Sequence, residues 1–395
     1  MEPVRQNERK VAGLNPVIFV TGLVSLFTDL SSEMIVPVLP LFLTSVLQVQ
    51  VGEVGVIEGI AESTASVLKL FSGWISDRMG RRKPLMLAGY GFSNLVKPLF
   101  ALSTSWGQVL AIRFADRFGK GVRGAPRDAL IADSTLPEER GKAFGFHRAL
   151  DTVGAALGPL TAFAVLALFH ENYRTVFWVS AVPGILAILL LAFCLKEKVH
   201  ERLVNERSAL PKIGFRSLGK RFIGFSLIAT LFALGNSSDA FLILRAQDVG
   251  MAASHIPLAY FTFNVTYSVL AMPAGVLSDR IGRRTVLVLG YLIFAAIYLG
   301  FGVAKNSAWI WGLFVVYGLY YAATEGIQKA YVADLVPRGQ RGMAMGTFNA
   351  LTGLVTLPAS ILAGELWQAF GPMATFGASA ICAVLAAILL VVFRI

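Results

Sequence analysis

The chain has 395 residues, 55% of them hydrophobic, and a mean hydropathy of +0.66. Charged residues make up 15%, against about 25% in an average soluble protein, which excludes an ordinary soluble enzyme, a disordered chain and a disulfide scaffold. The net charge of +11 would suit nucleic acid in a soluble protein, but its placement here has a membrane explanation, and no nucleic-acid partner is expected.

A helix of about 20 mostly apolar residues can span a bilayer. Breaks at Pro, Gly and basic clusters delimit twelve such runs: 14–47, 52–76, 85–104, 107–134, 142–169, 174–195, 221–246, 254–278, 285–304, 308–335, 341–369 and 372–393. The expected fold is an all-α polytopic membrane protein. The first run is overlong and contains Pro37 and Pro40, which predicts a kink or break. Ahead of it stand polar residues with Arg5, Arg9 and Lys10, and no short apolar core with an A-x-A-like site follows. The first helix is expected to be its own insertion signal. The one long polar segment, 196–220, separates 1–195 from 221–395. It reads as a solvated linker or as an amphipathic helix on the membrane surface.

Basic residues alternate between the two sides. One side collects 23 Lys and Arg from the termini and alternate loops; the other has Arg174, Arg245 and Lys305. The positive-inside rule puts the first set and both termini in the cytoplasm, with the chain in the inner (cytoplasmic) membrane. Cys194 and Cys382 lie in apolar runs and read as buried small hydrophobes. No Cys or His cluster suits a metal.

The halves repeat each other. Gly73-Trp74-Ile75-Ser76-Asp77-Arg78-Met79-Gly80-Arg81-Arg82 returns at an offset of 202 as Gly275-Val276-Leu277-Ser278-Asp279-Arg280-Ile281-Gly282-Arg283-Arg284. Ala132-Asp133 and Arg140-Gly141 return at an offset of 201 as Ala333-Asp334 and Arg341-Gly342. Such offsets predict two six-helix bundles of like topology. Asp77 closes the second run beside Arg78 and Arg81, where a carboxylate can cap a neighbouring helix or pair with an arginine. By the repeat, Asp77 is expected against the start of the eleventh run near Arg341. Asp279, with Arg280 and Arg283, is expected against the start of the fifth near Arg140. Such contacts can form in one state and break in another. Gly73 allows close helix approach.

With these motifs the chain resembles the major facilitator superfamily over essentially its whole length. The G-x-x-x-D-R-x-G-R-R loop between the second and third runs, and its copy between the eighth and ninth, is similar to that family's signature. Arg113 or Arg117 with Gly121 is similar to a second family motif, a membrane arginine followed by spaced glycines. Gly154-x-x-x-Gly158-Pro159 is similar to the motif of its proton-coupled antiporters, with Ala162 where a further Gly is usual. The resemblance implies two parallel bundles rocking around a central cavity.

Charges inside a bilayer are costly and face the protein interior in pairs. The first half has eight acids within its runs: Asp29, Glu33, Glu58, Glu62, Asp116, Asp128, Asp133 and Asp151. It has eight bases: Lys69, Lys97, Arg113, Arg117, Lys120, Arg123, Arg127 and Arg148. Helical spacing pairs Asp29 with Glu33, Glu58 with Glu62 and Asp116 with Lys120. Depth counting makes Arg117, Lys120 and Arg123 deep, with Asp29, Glu33 and Glu62 at mid-depth. A carboxyl in a low-dielectric cavity resists ionisation unless a cation offsets it. Asp29, Glu33 and Glu62 are therefore candidate proton carriers; the alternative is a static salt-bridge network.

The second half is sparser in charge and richer in aromatics. Tyr317, Tyr321, Glu325 and Lys329 share one helix face. Asn236 and Asp239, and Phe263, Asn264 and Tyr267, lie at similar depth. Rings with a few acids suit an amphipathic organic substrate; the alternative is plain packing. No Walker motif or nucleophile elbow appears, so neither ATP-driven transport nor enzymatic chemistry is expected, and no cofactor. The leading expectation is a monomeric, proton-coupled efflux transporter for a small amphipathic organic compound, its other partner membrane lipid. The bases of the fourth run open a second reading, transport of an anionic metabolite, siderophore or lysolipid. The two differ in whether those bases face the cavity or are consumed in pairs. A sensor or receptor on the same scaffold would be expected to carry a soluble domain.

Overall fold

The computed structural model describes residues 15–79, 81–136, 139–197, 218–337 and 340–393. The expectations for 198–217, for Gly80 and for the Asp77 side chain lie outside the described residues. Among those described, regular structure is helical throughout. In chain order the segments are α1 (Pro16–Val46), α2 (Val51–Met79), α3 (Lys83–Leu102), α4 (Trp106–Asp133), α5 (Arg140–Leu168) and α6 (Tyr173–Cys194). They continue as α7 (Lys220–Asp248), α8 (His255–Ile281), α9 (Arg283–Val303), α10 (Ser307–Asp334), α11 (Arg341–Phe370) and α12 (Pro372–Val392).

Eight of these are long and apolar enough to cross a membrane: α1, α3, α5, α6, α7, α9, α11 and α12. The other four are diluted by the residues that make them interesting. Acids and bases interrupt α2 and α4, while tyrosines and Asn264 lower the hydropathy of α8 and α10. All four line the central cavity described below. Large apolar side chains such as Leu168, Phe193 and Met272 stand exposed on the outer surface, the kind of girdle that a membrane or a protein partner covers. The cysteines belong to it. Cys194 is exposed and Cys382 half-buried, contrary to the buried positions expected, because their apolar runs turn partly outward.

Two segments are broken. The α-helix of α1 ends at Ile35, a short turn at Leu39–Leu41 follows, and a π-helical turn closes Phe42–Val46. Pro37 and Pro40 lack the N–H groups that would continue the ladder, as their spacing predicts. The run 221–246 was expected to be continuous, yet α7 stops at Gly235 and resumes at Ala240. Asn236, Ser237, Ser238 and Asp239 favour caps over helix interiors, and Ser238 Oγ accepts from the Ala240 N–H at 3.2 Å.

In the first half α1 packs on α5 and α6, and α4 on α2 and α3; in the second α7 packs on α11 and α12, and α10 on α8 and α9. Across the halves, α2 lies on α11 and α5 on α8. At the end away from the basic loops this seam is closed. One apolar cluster joins Ile35, Val38, Phe42, Val54 and Ile57 to Ala240 and Leu244. Polar bridges surround it: Gln247 Nε2 donates to Ser45 Oγ at 2.7 Å, the Ser254 N–H donates to Glu171 at 3.1 Å, and Gln50 pairs with Gln368. Deeper in, Ser63 Oγ donates to the Gly353 carbonyl at 3.0 Å. A Cβ on Gly59 would sit 3.0 Å from the Leu357 carbonyl oxygen, so α2 and α11 touch backbone to backbone. Toward the basic loops the halves part.

Candidate functional site

The space between the halves forms three adjoining lobes of about 770, 550 and 300 Å³, with Glu62, Ser66 and Tyr321 in the walls of all three. The largest reaches Gly73, Asp128, Lys329 and Gly342, near the basic ends of α2, α4, α10 and α11. The smallest stops at Pro40, Glu58 and Arg113, under the apolar seal. The cavity is thus a blind vestibule entered from the basic end.

Its first-half wall carries the charges. Asp29 and Glu33 of α1 and Glu62 of α2 all line it, as do Arg117, Lys120 and Arg123 of α4. Sequence spacing groups Glu58 with Glu62 and Asp116 with Lys120 along one helix, but the structure pairs both glutamates with arginines of a neighbouring helix. Arg113 donates through Nε and Nη2 to both oxygens of Glu58, at 3.0 and 2.8 Å. Arg117 pairs with Glu62 at 2.9 Å. Asp116 accepts from Ser93 Oγ at 2.6 Å rather than pairing with Lys120. Arg127 pairs with Asp128 at 2.9 Å. Lys97, without an assigned partner in the sequence, is buried and donates to Ser32 Oγ at 2.7 Å, Asn94 Oδ1 at 2.8 Å and Ser31 Oγ at 3.3 Å. It anchors α3 to α1 next to Glu33. Gly158 brings α5 onto the same turn: a Cβ there would lie 2.8 Å from the Glu33 carbonyl carbon and 2.9 Å from the Met34 nitrogen. Gly154 meets α1 at Leu26, and Pro159 is buried within α5.

The second-half wall is aromatic. Phe263, Tyr267 and Tyr321 line the middle lobe, with Phe263 and Tyr321 centroids 5.0 Å apart. Asn236 lines the large and small lobes, Glu325 the large and middle ones. Glu325 accepts from Lys329 at 2.5 Å. The break in α7 turns Asp239 into the cavity, where it accepts from Tyr260 at 3.0 Å and Tyr317 at 2.7 Å. Tyr317 is fully buried behind this wall and holds Asp239 rather than lining the space.

Sequence reasoning missed Tyr260, Lys69 and Arg148 as wall residues. Tyr260 could have been found, since 260, 263, 264 and 267 follow one helical face. Arg148 donates to Tyr267 Oη at 3.2 Å and pairs with Asp151 at 3.0 Å, joining α5 to α8; no sequence signal gives that contact.

The loop motifs differ in register from their sequence match. Arg82 donates to Ser76 Oγ at 2.5 Å and pairs with Asp133 at 3.4 Å. Arg283 donates to the Ala330 carbonyl at 2.6 Å and pairs with Asp334 at 2.5 Å. The equivalent bases are therefore Arg82 and Arg283, not Arg81 and Arg283, because the second connection is shorter. Asp279 pairs with Arg283 at 3.4 Å. Among the described residues it does not reach Arg140, because the halves have parted at this end. Arg81, Arg140, Arg280 and Arg341 are exposed there, and Arg341 Nε donates to the Ala333 carbonyl at 3.1 Å.

The Major Facilitator Superfamily model matches the chain twice, over residues 21–245 and 222–395. An uncharacterized MFS-type transporter of Methanocaldococcus jannaschii is 36% identical over 393 residues, covering 98% of this chain and 97% of the relative. The class C tetracycline resistance protein of Escherichia coli is 25% identical over 377 residues, covering 90% of each chain. Among solved structures, a mutant form of the nucleoside transporter NupG superposes with a TM-score of 0.80 at 13% identity, over 96% of this chain and 99% of that one. Two family matches along one chain, on helices that enclose a blind central vestibule, identify what kind of protein this is. The chain belongs to the Major Facilitator Superfamily, and is a multi-pass membrane transporter of small molecules rather than an enzyme.

Proposed function

We propose that this transporter carries a small amphipathic organic compound out of the cell, across the cytoplasmic membrane, by alternating access coupled to protons. In this reading α1 to α12 all cross the bilayer as two pseudo-symmetric bundles, 1–195 and 221–395, joined by a cytoplasmic 196–220 linker. The 23-to-3 distribution of basic residues supports a cytoplasmic basic end and cytoplasmic termini. The observation that carries the reading is the vestibule, sealed by cross-half packing at one end and reaching the basic loops at the other. That is one member of an alternating pair of states, open to the cytoplasm.

The wall chemistry supports the cargo and the coupling. Rings and a few hydrogen-bonding groups suit an amphipathic molecule. Asp29 and Glu33 face the lobe without an ion pair among the described residues, so they are the acids best placed to take up and release a proton. The seating of Gly158 against Glu33 would let a movement of α5 reach that carboxyl. Export is supported by the likeness to the tetracycline resistance protein and by the antiporter-like Gly154, Gly158 and Pro159. Gly73, Asp77, Arg78, Arg81, Arg140, Asp279, Arg280, Arg283 and Arg341 would gate the basic end, re-forming contacts across the seam when it closes. The test is proton flux in proteoliposomes holding the full chain, under an imposed pH gradient, with a panel of amphipathic organic compounds. Compound-dependent proton movement supports the reading; a panel that moves no protons while the same preparation transports a compound refutes the coupling.

A further inference from the structure

The five bases of α4 are not equivalent. Arg113, Arg117 and Arg127 are each consumed by a carboxylate within 4.0 Å. Lys120 and Arg123 are not. Lys120 is exposed into the middle and small lobes and makes no hydrogen bond or ion pair among the described residues. Arg123 lies one helical turn further on, in the wall of the same middle lobe. It is 5% exposed, has no carboxylate within ion-pair distance among the described residues, and its Nη1 is buried with no partner. Its guanidinium rests on the Tyr90 ring, 4.3 Å from the centroid. The ring holds the cation in place but satisfies none of its N–H groups. A buried guanidinium with an orphaned donor is an expensive arrangement unless a ligand completes it.

Several acids of the same lobe are engaged elsewhere. Glu62 is taken by Arg117, Asp151 by Arg148 and Ser25, and Asp239 by the two tyrosines. Asp29 and Glu33 also face the lobe, yet neither forms an ion pair with Lys120 or Arg123 among the described residues. Opposite the two cations stand Phe263, Tyr267 and Tyr321.

We infer that the cargo carries an acidic group, a carboxylate, that docks on Lys120 and Arg123 while its apolar part lies against Phe263, Tyr267 and Tyr321. The inference rests on the reading of this cavity as the transport site and adds the chemical class of what enters it. A guanidinium supplies paired donors and an ammonium a point charge, a combination that fits a carboxylate. The charge also suits the direction. An anion leaving the cytoplasm moves with the inside-negative potential, so the field across the membrane would assist export.

The experiment is isothermal titration of the full chain in nanodiscs with three probes of one shape: trans-cinnamate, cinnamamide and cinnamylamine. The carboxylate should bind about tenfold or more tightly than the amide, the size expected for charge-assisted hydrogen bonds. K120M and R123Q should each remove most of that preference, while K120R and R123K, which keep the charge and report on folding, should retain most of it. Equal binding of amide or amine and carboxylate would overturn the inference and leave the transport reading standing. So would a preference that survives K120M and R123Q together. If none of the three binds, the inference falls, and the transport reading is decided separately by the vesicle flux measurement.

Discussion

Replacing Gly59 by Ala adds one methyl group at the closed end of the seam, and its effect can be worked from the packing. The new Cβ would sit 3.0 Å from the Leu357 carbonyl oxygen, 3.1 Å from Leu357 Cδ1 and 3.2 Å from Leu357 Cα. Two of those atoms are backbone, so relief requires α2 and α11 to move apart by a few tenths of an ångström. Gly to Ala also favours the helix by about 1 kcal/mol, but that gain is present whichever end is open and cancels from the balance. The clash exists only while this end is closed. Overpacking of this kind costs about 1–3 kcal/mol, which would shift the ratio of the two states by about 5- to 150-fold toward opening away from the basic loops. The readout is thiol labelling at S66C, in the wall of all three lobes, with Cys194 and Cys382 replaced. Labelling from the side opposite the basic loops should rise and transport should slow. Unchanged labelling from both sides, with transport at the parental rate, would refute the claim that this seam must open.

Glu33→Gln should abolish accumulation driven by a pH gradient while leaving substrate exchange without a gradient in place; full gradient-driven transport would assign Glu33 a structural role. Arg113→Met should lower thermal stability by about 3–5 kcal/mol, since it strands the buried Glu58 carboxylate, and adding Glu58→Leu should recover much of that loss. A single variant as stable as the parent contradicts the pairing. Asp77→Asn should reduce transport strongly in a chain that still folds and inserts, by removing a charged contact expected only when the basic end is closed; parental rates would remove the gating role.

The parts of this molecule legible in the sequence were those set by local composition. Apolar run length marks eight of the helices, and the two prolines mark the break in α1. The break in α7 was not legible, because residues 221–246 have the composition of an unbroken span and the four polar residues at its centre could equally have faced a cavity from an intact helix. The break matters, since it is what turns Asp239 toward Tyr260 and Tyr317. Charge pairing was visible as a need but not as a pattern. Spacing along one helix grouped Asp116 with Lys120 and Glu58 with Glu62, whereas both glutamates pair across to α4, in rungs between α2 and α4. Which bases remain after pairing, Lys120 and Arg123, follows only from the packed structure. The Lys97 cluster is of the same kind, because Ser31 and Ser32 become its partners only when α1 and α3 are side by side.

The central claim is that the two halves rock about the cavity, closing one end as the other opens. Spin labels at both ends of α4 and α10 test it directly: one pair at Leu136 and Pro337 beside the basic loops, the other at Thr104 and Lys305 at the opposite end, all exposed positions. Distance distributions in nanodiscs should show two populations for each pair. A shift in pH or the addition of a transported compound should lengthen one pair as it shortens the other. A single unchanging distance at both ends, in a preparation that transports, would contradict the account.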